Sequence, residues 1–229
     1  MSYARAIGLK RRPRAVIFDM DGLMLDTEPL AARAWTDAAS ACGMAFDDAV
    51  TLQLVGRTFV DCRELILAHH GEGYAVDSLL AAWHDAYDAI VAREGLALKP
   101  GLVELLDWLE SHSIPKAVAT STRHARARSK LERTALLPRF TAIVGGDDVA
   151  EGKPSPDIFI AAAARLDCAP ADCLVLEDSE PGLVAAARAG IPAIAVPDIT
   201  PPPECVMGKA PIVMRTLHDV RDHLATLAA

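Results

Sequence analysis

The order of apolar segments in this chain predicts an α/β fold, a parallel sheet with helices on both faces, interrupted early by a helical insert. Three observations carry that expectation. Short, wholly apolar runs such as Ala15 to Phe18, Ala142-Ile143-Val144 and Leu174-Val175-Leu176 have the length and bounding turns of buried strands. Amphipathic stretches of helical period separate them, and alternating strand and helix is the sequence order of a parallel sheet. From Pro29 to about Ala97 the pattern is helical throughout. With 229 residues, the chain has room for one good-sized core and a small inserted domain.

Taken in order, residues 1–13 are basic through Arg5, Lys10, Arg11 and Arg12, and no apolar stretch of signal-peptide length follows, so they read as a frayed tail. Ala15 to Phe18 is the first strand. In the insert, Leu30, Ala34, Trp35, Ala38 and Ala41 recur at helical spacing, with Gly43 as the stop. Further helices fit Asp47 to Leu54, Val60 to His69 and Val76 to Arg93, bounded by Gly56-Arg57-Thr58 and Gly71-Glu72-Gly73. After Leu98-Lys99-Pro100-Gly101 the alternation resumes. Helices are expected at Leu102 to Ser111, His124 to Thr134, Pro156 to Leu166, Gly182 to Ala189 and Leu217 to Leu227. Strands are expected at Ala117 to Ala119, Ala142 to Val144, Leu174 to Leu176, Ala193 to Val196 and Ile212 to Met214. The domains are then a core of 14–28 with 98–229 and a helical insert of 29–97.

The first strand runs into Asp19-Met20-Asp21-Gly22, which puts two carboxylates at its carboxyl end, where open α/β sheets bind ligands. If extension persists through Met20, Asp19 and Asp21 face one reaction centre. Such a pair suits covalent phosphoryl transfer, one acid as nucleophile and the other as proton carrier. Alone, Asp-x-Asp-Gly is more often a helix cap or a turn than a site. Three further stretches fall at strand ends or adjoining loops on the same edge. Thr120-Ser121-Thr122 precedes a helix and could hold a phosphate at its positive end. Gly152-Lys153-Pro154 offers one cation in a stiff loop, and Glu177-Asp178 adds two acids. Like charges about 4 Å apart repel by roughly 4 kcal/mol at an effective dielectric near 20, so four carboxylates and a phosphate call for positive charge. A hard divalent ion such as Mg²⁺, which takes oxygen ligands and binds through one or two carboxylates plus substrate phosphate, supplies it. Lys153 neutralises part of the rest.

On these four motifs, in this order, the chain resembles the haloacid dehalogenase superfamily of phosphohydrolases, in the branch of β-phosphoglucomutase and small sugar-phosphate phosphatases. The resemblance extends from about Arg14 over nearly the whole chain. It implies a Rossmann-like core, with the insert as a cap domain in the C1-type position that closes over the site. It implies Asp19 as nucleophile and Mg²⁺ ligand, and Asp21 as general acid and base that also gives its backbone carbonyl to the metal. Thr120 and Ser121 would bind the phosphoryl group, Lys153 would bind it and Asp19, and Asp178 with Glu177 would complete the metal site. Glu28, Arg57 and Arg123 are the substrate-contacting residues expected. Superfamily dehalogenases lack the second aspartate that this chain has at Asp21, and chemistry agrees, because a halide needs no proton whereas an alkoxide does. The expected activity is Mg²⁺-dependent hydrolysis of a small phosphate monoester, such as a sugar phosphate, through an aspartyl phosphate. Its alternatives are a phosphosugar mutase and an idle phosphate-binding regulator. The mutases carry a histidine twelve residues past the nucleophile, where this chain has Ala31, but Thr122, Arg123 and His124 fall where mutases hold a second phosphate.

Composition excludes other classes. A net charge of −8 disfavours nucleic acid and anionic membrane as partners. No apolar run reaches the length of a membrane span. Five cysteines, Cys42, Cys62, Cys168, Cys173 and Cys205, lack zinc-type pair spacing and suit a reduced, cytoplasmic setting. A monomer acting on a small phosphorylated metabolite is expected.

Overall fold

The computed structural model describes residues 11–44, 50, 53–54, 59–199, 201, 203–208 and 211–228. The chain divides into two compact units, Asp26–Ala97 and the remainder, Met1–Leu25 with Leu98–Ala229.

The larger unit holds six strands: β1 (Ala15–Phe18), β2 (Lys116–Ala119), β3 (Ala142–Val144), β4 (Cys173–Glu177), β5 (Ala193–Ala195) and β6 (Ile212–Val213). They form one sheet in the order β3-β2-β1-β4-β5-β6, every pair parallel. β1, β2 and β4 are buried throughout, as near-continuous apolar runs in a doubly covered sheet should be. Register decides which residues share a level. Phe18 pairs with Val118 on one side and with Leu176 on the other, so the next residues, Asp19, Ala119 and Glu177, emerge together at one edge.

Two helices on one face, Asp157–Arg165 and Glu180–Arg188, bury Ile158, Phe159, Ala162, Ala185 and Ala186 against Ile17, Ala117 and Val175. In chain order the helices are α1 (Glu28–Ala41), α2 (Phe59–His70), α3 (Val76–Glu94), α4 (Leu102–Ser111), α5 (His124–Arg133), α6 (Asp157–Arg165), α7 (Glu180–Arg188) and α8 (Leu217–Thr226). The first three lie in the smaller unit, where Trp35, Ala38, Ile66 and Leu79 share a core and Arg33 grips Glu94 with two hydrogen bonds of 2.7 Å.

Several expectations shift. β1 ends at Phe18 and does not extend through Met20, whose carbonyl accepts from Met24 N (2.9 Å) and Leu25 N (3.0 Å), so a turn carries Asp21. The residues Arg11 and Arg12 are not frayed: Arg11 pairs with Asp172, Arg12 N donates to Ala228 O at 2.9 Å, and its guanidinium lies over Trp108. Helix α7 starts two residues earlier than expected, because Ser179 caps it and Pro181 suits its first turn. Most of the helix expected over 47–54 lies outside the described residues. The basic run 1–10 does too. All five cysteines are free thiols, and among the described residues no helix is long and apolar enough to cross a membrane.

Candidate active site

Asp19 continues β1, and its amide donates to Leu176 O at 3.0 Å, which locks it at the sheet edge. The side chain is 7% exposed. Lys153 arrives from the loop before α6 and is itself buried. Its Nζ donates to Asp19 Oδ1 at 2.5 Å, Glu177 Oε1 at 2.6 Å and Ala119 O at 3.1 Å, so the ammonium's three protons meet three acceptors that the sheet register brings together. The lysine read from sequence as a cation in a loop is thus the centre of the cluster.

Glu177 ends β4 with no exposed surface. Its Oε2 accepts from Ser179 N at 2.8 Å and Ser179 Oγ at 2.9 Å. Asp178 is half-buried beside it. One oxygen each from Asp19, Glu177 and Asp178 lie within 4.8 Å of one another, a spacing that fits a single cation. Gly22 makes this possible: its φ of +85° is a left-handed conformation, and a Cβ there would stand 2.4 Å from Asp178 Oδ2.

The electrostatics leave a surplus. One ammonium serves two buried carboxylates, and Asp178 adds a third. Burial pushes the Asp19 carboxyl up, to about 7, against the pull of Lys153, with Glu177 and Asp21 pushing the same way. Burial alone would lower Lys153, but Asp19 and Glu177 outweigh it and hold the ammonium charged. A hard divalent cation at this oxygen cluster would remove the remaining repulsion.

Thr120 follows β2, is buried, and its Oγ1 accepts from Thr122 N at 3.1 Å. Its own proton is then left to donate elsewhere, as phosphate binding needs. Ser121 is exposed in the same loop. Arg123 is exposed at the start of α5, Glu28 is buried as the first residue of α1, and Arg57 lies outside the described residues. Asp21 makes contacts of its own. Its Oδ2 accepts from Thr122 Oγ1 at 2.7 Å and its Oδ1 meets Lys130 Nζ at 2.6 Å. Sequence reading missed Lys130 and gave Ser179, which ends the run Glu177-Asp178-Ser179, no role. Lys130 had one signal: it stands three residues past Ala127 on the inward stripe of α5, beside Leu131, where a lysine is out of place unless it has a partner.

The chain is 33% identical over 214 residues to the bifunctional riboflavin kinase/FMN phosphatase of Arabidopsis thaliana, covering 93% of this chain and 56% of that protein, so it spans little more than half of that relative. It is 35% identical over 189 residues to the β-phosphoglucomutase of Bacillus subtilis, covering 80% of this chain and 83% of the other. The crystal structure of CbbY from Rhodobacter sphaeroides in complex with phosphate superposes with a TM-score of 0.76 at 29% identity, over 91% of this chain and 96% of that one. The family model of the haloacid dehalogenase-like hydrolases matches residues 13–190, and with Asp19, Lys153 and Asp178 gathered at the carboxyl edge of a parallel sheet, the chain belongs to that family.

Proposed function

We propose that this protein is a phosphatase for a small phosphate monoester, with Asp19 as nucleophile. The observation that carries the reading is the buried Lys153 bridging Asp19 and Glu177 at the end of β1. A lysine with that environment holds an attacking carboxylate in place and then neutralises an incoming phosphoryl group. The FMN phosphatase relative supports the same class of substrate.

In the reaction, an Asp19 oxygen forms a bond to phosphorus as the ester P–O bond breaks. The departing oxygen keeps the electron pair and takes a proton from Asp21. Water then attacks the aspartyl phosphate, gives a proton to Asp21, and the Asp19–phosphorus bond breaks to release phosphate. Thr120 donates its hydroxyl proton to a phosphoryl oxygen, while Lys153 offsets charge on both partners. Asp19, Asp178 and the backbone carbonyl of Asp21 would hold Mg²⁺, with Glu177 beside them, and the ion would supply charge stabilisation to the phosphoryl oxygens. The helical unit would serve as the cap that excludes bulk water and chooses the substrate, with Glu28, Arg57 and, from the core, Arg123 as contacts.

The test is phosphate release from a panel of sugar phosphates, phosphoglycolate and nucleoside monophosphates, with added Mg²⁺ and with a chelator. Wild-type protein should turn over one or more esters with Mg²⁺ only. A folded Asp19→Asn protein should be inert, because the variant keeps the shape and loses the attacking charge. Substantial turnover by that variant would refute the assignment.

A further inference from the structure

Asp21 reaches the site on a fixed backbone. Gly22 N donates to Leu25 O at 2.9 Å, Met20 O accepts twice, and Asp21 forms a one-residue bridge with Leu25. What remains free is the side-chain torsion, and two groups from distant sequence take hold of it. Lys130 Nζ lies 2.6 Å from Oδ1 and the Thr122 hydroxyl 2.7 Å from Oδ2, across 109 and 101 residues of chain. The ion pair is largely shielded, with the lysine side chain 13% exposed and the aspartate 23%. Short, shielded and charge-assisted, it is far from the exposed pairs that contribute little. Each carboxylate oxygen has its own donor, so the plane of the carboxyl group is set by α5 and the loop before it.

We propose that Lys130 is a positioning residue for the acid–base group Asp21, fixing the carboxyl plane from which the leaving alcohol is protonated. This rests on the phosphatase reading above. Proton transfer requires heavy atoms about 2.6–3.2 Å apart. A displacement near 1 Å costs up to about a hundredfold in rate. Removing this hold on Asp21 therefore lowers kcat/KM for esters whose leaving group needs a proton and spares kcat/KM for those whose leaving group does not, while the later attack of water on the aspartyl phosphate is common to both.

The test compares Lys130→Met, Lys130→Gln and Lys130→Arg with wild type on two kinds of ester: the best alkyl phosphate of the panel, and p-nitrophenyl phosphate, whose phenolate departs unprotonated. Since kcat/KM reports the steps through loss of the leaving group, it isolates the protonation. Lys130→Met should lower kcat/KM for the alkyl ester about tenfold or more, within the ~10²–10⁴-fold that general acid–base catalysis contributes. For p-nitrophenyl phosphate kcat/KM should be nearly unaffected, and Lys130→Arg should recover most of the kcat/KM lost on the alkyl ester. Lys130→Gln should repeat the pattern if Lys130→Met folds poorly. An equal loss of kcat/KM on both esters, or no loss on the alkyl ester, overturns the proposal. If wild type hydrolyses neither ester, the phosphatase reading fails on its own, and crystal structures still decide the positioning claim. The Asp21 carboxyl should hold one orientation in wild type and leave it in Lys130→Met, and an unmoved Asp21 refutes the claim.

Discussion

Gly182 shows how closely single residues constrain the site. Its amide donates to Ser179 Oγ at 3.3 Å in the cap of α7, and a Cβ at this position would stand 1.8 Å from Glu177 Oε1 and 2.0 Å from its Cδ. Glu177 has nowhere to go, since Lys153 holds one oxygen and Ser179 the other. Gly182→Ala should therefore push Glu177 off Lys153 and loosen the lysine that holds Asp19. Overpacking of this kind costs about 1–3 kcal/mol. We expect a lower urea midpoint and a fall in turnover; an unchanged midpoint would contradict the close approach. Sequence reading singled out Asp19, Lys153 and Asp178 as candidates because acids and a lone lysine at strand ends are visible as residue types. It did not identify why Gly182 must be glycine, because that reason is a contact with the end of the preceding strand.

Elements were legible in proportion to their apolar pattern. All six strands appear within a residue of expectation at each end because each is a short apolar run between turns. The 3₁₀ helix Leu137–Arg139 was not expected: three residues carry no period to read. Its effect is tertiary. It presents Arg139 to Glu110 of α4, with Nε 2.9 Å from Oε1, while Lys116 at the start of β2 donates to the same oxygen at 3.1 Å. Arg139, together with Lys116, outweighs the burial penalty and holds the Glu110 carboxyl down to about 2, from an ordinary 4.5. A carboxyl whose folded value is depressed adds stability that is present above about pH 4.5 and is lost as pH falls toward 2. Glu110 is 45% exposed on its side chain, so screening keeps the contribution to about 1 kcal/mol or less. Urea unfolding of Glu110→Gln beside wild type should show a gap at pH 7 that closes through that acid window. A gap that persists unchanged at pH 3 would assign the effect to packing of α4 on β2 instead.

For the molecule as a whole, the choice between water and a second hydroxyl as phosphoryl acceptor separates hydrolysis from phosphosugar mutation. A mutase must hold a bisphosphate by both ends and keep water from the aspartyl phosphate. The sequence offers Thr122, Arg123 and His124 for the second phosphate, and at that level the two activities are hard to separate. The structure commits two of the three to acids: the Thr122 hydroxyl donates to Asp21, and His124 meets Asp148 through Nδ1 at 2.7 Å and Asp147 through its backbone N at 2.6 Å. A second phosphate there would displace those carboxylates or stand against their charge, which disfavours a bisphosphate. Ala31, on α1 where the mutases carry histidine, brings no side-chain donor, and its carbonyl is taken by Trp83 Nε1 at 3.2 Å. Both features point to water as acceptor. We therefore expect that β-glucose 1-phosphate, supplied with Mg²⁺ and a trace of glucose 1,6-bisphosphate, yields inorganic phosphate from the bisphosphate or the ester and little glucose 6-phosphate. Efficient conversion to glucose 6-phosphate with little phosphate released would show that Thr122 and His124 let go of their acids to seat the bisphosphate, and would make the chain a mutase.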